Sequence, residues 1–297
     1  MLFTDKAHGN FAKDPAVVKF HDRYYLYYSL KYEDDRFGVG IATSKDLENW
    51  EICGEVPLKE EYEKNGIAAP GAIVLEDEVH LFYQTYGNGK KDAICHAVSK
   101  DGITFVKNPE NPVFFPKGDW CCGRAIDADV CVFEGKLLLY FATRDHEFRV
   151  QKVGGAWAPL DSGFGKKAWT MLAEQSLLPP ELSWEGECIE APAVMVQDGK
   201  VYMFYGGSYN CTPQQIGCAV SKDGIFFQRV FEKPFLPCGA PDAWNSSESG
   251  HPYVFPDEDG RIYLIYQGSS DNGQTWYLSK EEIVFVDSMP KLKSSFK

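Results

Sequence analysis

The chain repeats itself, and the repeat decides what it can fold into. Five stretches share one order of apolar strand, polar turn and aromatic-rich strand: "VVKFHDRYYLYYS" from Val17, "IVLEDEVHLFYQT" from Ile73, "VCVFEGKLLLYFAT" from Val130, "VMVQDGKVYMFYGG" from Val194 and "YVFPDEDGRIYLIYQG" from Tyr253. Each is a β-hairpin signal. With Leu26, Leu81, Leu139, Met203 and Leu264 taken as equivalent, subtraction gives steps of 55, 58, 64 and 61 residues, so five units fill the 297 residues. A second motif follows most of the hairpins: "GIATSKDLENW" from Gly40, "CHAVSKDGITF" from Cys95, "GCAVSKDGIFF" from Gly217 and, more weakly, "WYLSKEEIVF" from Trp276. It reads as a second hairpin in each unit. The third unit carries "FRVQKVGGAWAPL" from Phe148 in its place, and there the second hairpin is expected to be lost.

Four strands per unit, hardly any helical periodicity and five units predict an all-β fold: a five-bladed β-propeller, four antiparallel strands per blade, with residues 1–297 as a single domain. Sequential sandwiches also contain many short strands, but their turns would not restart in the same order with every unit. The apolar fraction of 44% supports a packed core. A net charge of −13 argues against nucleic acid or an anionic membrane surface as partner, which leaves a neutral ligand. The nine cysteines have no regular spacing and no CxxC pair, so neither a disulfide framework nor a zinc site is indicated. No apolar run is long enough to span a bilayer, and "MLFTDKAHGNFAKDP" lacks a signal-peptide core. A chain that starts at Met1 is therefore expected in the cytoplasm.

In a propeller the first strand of each blade lines the axis, so the residue just ahead of each hairpin reaches the mouth of the axial cavity. Twelve residues before the reference position stand Asp14, Ala69 and Asp127, and thirteen before it stand Glu190 and His251. The words around them, "KDPAVV", "AAPGAIV", "AIDADV", "IEAPAVMV" and "SGHPYVF", share small residues and proline while the charged residue varies. Blade two shows that the scaffold needs no charge there. Three carboxylates converging on one cavity would shift one another's pKa, an arrangement that active sites use and cores avoid.

Each candidate also has a structural reading. Asp14 before Pro15 is a common turn opener, and a lone histidine such as His251 is more often a satisfied structural residue than a ligand or base. Asp129 shares strand parity with Asp127 and competes with it; the comparison between units favours Asp127. In "WEGEC", Glu185 and Glu187 read as solvated loop charges.

The segments "KDPAVVKFHDRYYLYYS", "AIDADVCVFEGKLLLYFATR" and "IEAPAVMVQDGKVYMFYGG" resemble the three catalytic segments of glycoside hydrolase family 43, in that family's order. "SGHPYVF" resembles its axial-histidine segment, and the resemblance runs from about Gly9 to Gly268. It implies Asp14 as general base, Asp127 as the carboxylate that tunes pKa and orients, and Glu190 as general acid. Two departures stand out: Asp-Ala-Asp for the family's Asp-Pro in the middle segment, and Glu-Ala-Pro for its Glu-Gly-Pro. The segments "AKDPAV" and "CIEAPA" lack the Asn-Asp-Pro-Asn and Glu-Cys signatures of retaining invertase-like propellers, so the resemblance implies inversion. Inversion needs an acid and a base about 6.5–9.5 Å apart on opposite faces of the sugar, and blades one and four lie across the axis from each other.

The resemblance also implies α-L-arabinofuranosides or β-D-xylosides as substrates, with galactosides taken by some members, and allows a calcium or sodium ion held near His251 through water. No other cofactor is implied. Phe11, Trp120, Tyr209 and Trp244 are candidates for stacking on sugar faces, and Arg124, Arg144, Ser208 and Asn210 for binding hydroxyls, with His251 beside them. A propeller alone and no signal peptide suggest a pocket that removes one terminal sugar from short imported oligosaccharides. Two other classes compete: a non-catalytic propeller that binds sugar or protein, and a phosphorolytic propeller enzyme, which needs basic residues at the mouth.

Overall fold

The computed structural model describes residues 2–296. Five antiparallel sheets follow one another around an axis, and the first strands of successive blades pack side by side, the fifth returning to the first. Blade one is Lys13–Phe20, Arg23–Lys31, Phe37–Ser44 and Glu51–Val56; blade two is Ile67–Leu75, Glu78–Thr85, Ile94–Ser99 and Val106–Lys107. Blade three is Ile126–Phe133, Lys136–Arg144, Gln151–Pro159 and Thr170–Met171; blade four is Ile189–Gln197, Lys200–Gly207, Gln215–Ser221 and Gln228–Arg229. Blade five is Glu248–Pro256, Ile262–Ser269 and Tyr277–Val286. Its third strand pairs with Leu2–Phe3 at one end and Met289–Leu292 at the other. The N-terminal strand thus ties the first residues to the last blade and closes the ring.

Blade three keeps its second hairpin, contrary to the expectation of loss. Gln151–Pro159 pairs along the whole of Lys136–Arg144, and Thr170–Met171 pairs outside it. What this blade lacks is the Ser-Lys-Asp turn. In the turns that have it, Ser44 and Asp46, Ser99 and Asp101, and Ser221 and Asp223 bond to each other, and the aspartate accepts backbone N–H groups two and three residues on. The motif is a side-chain-closed turn between third and fourth strands.

The core lies between blades, in four clusters of Val, Leu, Ile, Phe and Tyr side chains. Aromatic second strands need room, which small third-strand residues provide: a Cβ on Gly217 would stand 2.3 Å from the Tyr205 ring. The hydroxyls of Tyr28, Tyr83 and Tyr205 then donate to the buried carboxylates of Asp5, Glu63 and Glu185. Glu185 is therefore not a solvated loop charge. It is fully buried and also accepts from Arg229 and from the backbone of Glu181 and Leu182. Glu187 is exposed and pairs with Arg149 at 3.3 Å.

Candidate active site

A β-bulge interrupts every first strand at the same level. The register skips between Lys13 and Ala16, Ala68 and Gly71, Ile126 and Asp129, Glu190 and Ala193, and Gly250 and Tyr253. The first residue inside each skip has a positive φ: Asp14 51°, Ala69 45°, Asp127 53°, Ala191 51° and His251 37°. Such a conformation costs a non-glycine residue roughly 1–3 kcal/mol, a strain that recurs at functional sites. The bulge also sets two residues opposite one, which lets consecutive side chains face the same way. Lys13 and Asp14 both line the axial cavity, and so do Ile126 and Asp127.

Glu190 is thus not at the same position as Asp14, as counting from the reference residue suggested. It is the residue before the bulge, equivalent to Lys13, and Ala191 occupies the bulge. The count slipped because the hairpin turn of blade five, residues 257–261, is longer than the two-residue turns of the other blades. Thirteen steps reach the bulge in blade five and overshoot it by one in blade four. Glu190 still faces the cavity.

A bulge frees a backbone N–H, and the neighbouring blade takes up four of the five. Ser29 Oγ accepts from Ala69 at 2.8 Å, Gln84 Oε1 from Asp127 at 2.6 Å and Gln267 Oε1 from Asp14 at 3.1 Å. These three acceptors sit at one position, three residues past the reference residue of the preceding blade. Blade four has Gly206 there, and Gln214 Oε1 bonds His251 N–H instead at 2.9 Å.

The cavity holds about 310 Å3 and is lined by Asp14, Asp127, Glu190 and His251 together with the cationic Lys13, Arg124 and Arg144 and the amides of Gln84, Gln151 and Asn210. Asp14 Oδ1 lies 3.0 Å from His251 Nδ1. Burial opposes ionisation of Asp14, but the charges of His251 and Lys13 and hydrogen bonds from His251 and Ser29 hold its carboxyl well below the usual range. Burial likewise opposes charge on His251, and Asp14, Asp127 and Glu190 outweigh it, raising the imidazole to about 9. At neutral pH this corner is a carboxylate facing an imidazolium.

Asp127 differs. Burial, then the neighbouring charges of Glu190 and Asp14, push it up to about 7, against the opposing pull of His251 and Arg124. Glu190 accepts on both oxygens: Gln214 Nε2 donates to Oε1 at 2.6 Å, and Gln151 Nε2 donates to Oε2. Neither amide is free to turn over. Gln214 Oε1 is fixed by the His251 N–H, and Gln151 Oε1 by Arg144 Nε at 2.7 Å. Asn210 adds a longer contact of 3.4 Å and is itself held by Lys13 Nζ at 2.7 Å and by the buried Glu248 at 3.2 Å.

Asp129 lies outside the cavity lining. Its Oδ2 accepts the N–H of Val194, on the strand that carries Glu190, at 2.7 Å, and its Oδ1 has no partner among the described residues. Burial pushes this carboxyl to about 7.

Of the expected sugar contacts, Arg124, Arg144, Tyr209, Asn210 and His251 line the cavity, and Phe11, Trp120, Ser208 and Trp244 do not. Phe11 is buried behind Phe37 at 5.4 Å; it is Phe37, stacked on Tyr86 at 4.7 Å, that reaches the cavity. Trp120 packs on Gly154, Trp244 on Gly268 and Tyr266, and Ser208 Oγ bonds Thr212. Sequence reasoning passed over Lys13, Gln84, Gln151, Gln214 and Glu248. Gln84 and Gln267 had a visible signal, the shared "YQ" at one offset in "FYQT" and "IYQG". The residues do not fit direct ligation of a cation beside His251. Among the described residues no group of three or more His, Cys, Asp and Glu side chains is placed to hold a metal directly.

Comparison with known proteins gives three findings. The family model described as glycosyl hydrolases family 43 matches residues 8–285. Among curated proteins, the chain is 30% identical over 140 residues to a β-1,2-mannobiose phosphorylase of Thermoanaerobacter sp. (strain X514), covering 42% of this chain and 44% of that one. It is 29% identical over 110 residues to a β-xylosidase of Xylanibacter ruminicola, covering 37% and 30%. The matches thus span less than half the length of either curated relative. A solved structure described as a thermostable family-43 glycoside hydrolase superposes with a TM-score of 0.79, 95% of this chain on 92% of that one, at 23% identity. At that identity the likeness shows the fold.

Proposed function

The chain belongs to glycosyl hydrolases family 43, and we propose that it removes a terminal α-L-arabinofuranosyl or β-D-xylosyl unit from a short oligosaccharide by hydrolysis with inversion. One observation carries this reading: carboxylates from blades one, three and four share a single axial cavity large enough for one sugar ring. Asp14 is the base. The adjacent imidazolium keeps it ionised, ready to take a proton from water as the bond to the leaving oxygen breaks. Glu190 is the acid that hands a proton to that oxygen, and its carboxyl is oriented by Gln151 and Gln214. Asp127 is the third carboxylate of the set, pushed up to about 7 by burial and by the charges of Glu190 and Asp14. The β-xylosidase among the relatives supports the pentoside substrate.

A panel of nitrophenyl glycosides, with the configuration of the first-formed sugar read by NMR, tests the proposal. Cleavage of an arabinofuranoside or xyloside with inverted product is expected; cleavage of none, or retention, sinks it. Phosphorolysis is the second reading, supported by the phosphorylase relative and by the cationic side chains of Lys13, Arg124, Arg144 and His251 around the cavity. It requires a sugar 1-phosphate as product when inorganic phosphate is present.

A further inference from the structure

Four cationic side chains line the cavity, and they are not equivalent. Lys13 Nζ is spent on Asn210, with Glu248, Glu190 and Asp14 nearby, and His251 is spent on Asp14. The two arginines each keep an N–H edge free among the described residues, Arg124 while also paired with the buried Asp92. Arg144 uses Nε on Gln151 at 2.7 Å and Nη1 on the carbonyl of Phe148 at 3.3 Å, which leaves Nη2 without a hydrogen bond among the described residues. Arg124 meets Asp92 Oδ2 only at 3.4 Å through Nε and Nη2, and its Nη1 has no partner among the described residues. Arg124 is 8% exposed, so this charge is built into the wall and not waving on the surface.

The two guanidiniums are brought together by one ring. Phe148 holds Arg124 at 5.5 Å and Arg144 at 4.5 Å from its centroid, and Tyr209 covers Arg144 at 5.0 Å. Phe148 itself stands at a positive φ of 62° in the turn after Arg144, a conformation that a bulky residue adopts only under constraint. Lys90 adds a further positive charge at 6.0 Å from the same ring. A guanidinium with free N–H groups in a partly desolvated wall matches the oxygens of a carboxylate or phosphate, and neutral sugar hydroxyls do not require it.

We propose that Arg124 and Arg144 form an oxyanion subsite on the blade-three side of the cavity, selecting a ligand that carries a carboxylate or phosphate group. The inference rests on the cavity being the sugar site. The oxyanion has two sources. As the carboxylate of an acidic sugar it is part of the substrate, and hydrolysis proceeds with water as before. As inorganic hydrogen phosphate it is the co-reactant: a phosphate oxygen bonds to the anomeric carbon, the glycosidic C–O bond breaks with its electron pair on the leaving oxygen, and that oxygen takes a proton from Glu190. The phosphate's own proton restores Glu190, so the products are the sugar 1-phosphate and the free alcohol.

Binding tests this independently of turnover. D-Xylose and D-glucuronate differ at C5 by a hydrogen against a carboxylate, so their affinities are compared by calorimetry at fixed ionic strength, with inorganic phosphate titrated in parallel. The wild-type protein is expected to bind at least one of the two oxyanions about tenfold more tightly than D-xylose. Arg124→Met is expected to remove that advantage while still binding D-xylose, which reports that the cavity is intact; Arg144→Met, which also releases Gln151, is expected to remove the advantage and to weaken D-xylose binding as well. Preference for glucuronate alone assigns an acidic sugar; phosphate binding with sugar 1-phosphate as product assigns the co-reactant. A wild-type protein with no preference for either oxyanion overturns the proposal whatever the variants do, and so does a preference untouched by both substitutions. Cleavage of neutral glycosides with no oxyanion preference would overturn this subsite and leave the hydrolase reading standing.

Discussion

Blades two and three build the same bulge and put different residues on it. Ala69 and Asp127 have φ of 45° and 53°, and each N–H is capped by a side chain of the preceding blade, Ser29 or Gln84. Blade two follows its alanine with Gly71, where an added Cβ would lie 2.1 Å from the carbonyl oxygen of Ala128. Blade three has Asp129 at that level, bonded to blade four. The difference teaches that the strained backbone belongs to the ring and the charge does not. The bulge recurs in all five blades, and titratable groups reach the cavity either from the bulge residue, as with Asp14, Asp127 and His251, or from the residue before it, as with Lys13 and Glu190.

Changes at the charged bulges should separate from changes at the uncharged one, and the largest separation is at Asp14. Asp14→Ala is expected to lower kcat by roughly 10²–10⁴, with no recovery on substrates with better leaving groups; near-wild-type turnover would remove Asp14 from the mechanism. Asp129→Asn acts on stability instead. Its carboxyl is raised from the usual 3.8 to about 7, so the folded state binds the proton more tightly than the unfolded chain. That stabilisation is complete below about pH 4 and is lost as pH rises through 7. The variant should therefore match the wild type near pH 4 and exceed it at pH 8 by up to about 4 kcal/mol, read from urea unfolding at both pH values. Equal difference at both would mean that Asp129 is not the titrating group.

Asp127→Asn should move the alkaline limb of kcat/KM down by roughly one pH unit, because it removes from the cluster the carboxyl that burial and like charge raise to about 7. Asp129→Asn should leave that limb in place, and the reverse pattern would exchange the two assignments. The smallest effect is expected at the uncharged bulge. Ala69→Gly relieves a positive φ at the cost of about 0.5–1 kcal/mol of chain entropy, so stability should stay within about 1 kcal/mol and kcat/KM should not change. A large loss of activity there would mean that blade two contributes more than scaffold.

The propeller was legible because its period is long and its hairpins are strongly alternating. What the sequence hid were short strands: Leu2–Phe3 and Thr170–Met171 are two residues each, too short to show alternation. At the site, Asp14, Asp127 and His251 could be read from the spacing of the repeats, since each bulge keeps its distance from the hairpin. Glu190 was placed at the cavity but at the wrong register, because a bulge and an unequal turn both change the count by one. Gln151 and Gln214, which orient Glu190, occupy equivalent positions, each five residues before the third-strand partner of its blade's reference residue, but blades one, two and five carry Phe37, Asp92 and Trp276 there, so no shared residue type marks the position across the repeats. Phe11, Trp120 and Trp244 had the right residue type, but glycines opposite the two tryptophans and the stack of Phe37 on Tyr86 settle which aromatics are filling and which are lining.

The account turns on Glu190, the one carboxylate of the three that stands beside its bulge and not on it. The direct measurement is the rate of Glu190→Ala on two glycosides of the same sugar, one with a dinitrophenyl and one with an alkyl leaving group. A good leaving group departs without a proton and a poor one does not. The account predicts that the dinitrophenyl glycoside keeps most of its wild-type rate while the alkyl glycoside loses roughly 10²–10⁴. Equal loss on both would contradict it, leaving Glu190 a binding or structural group.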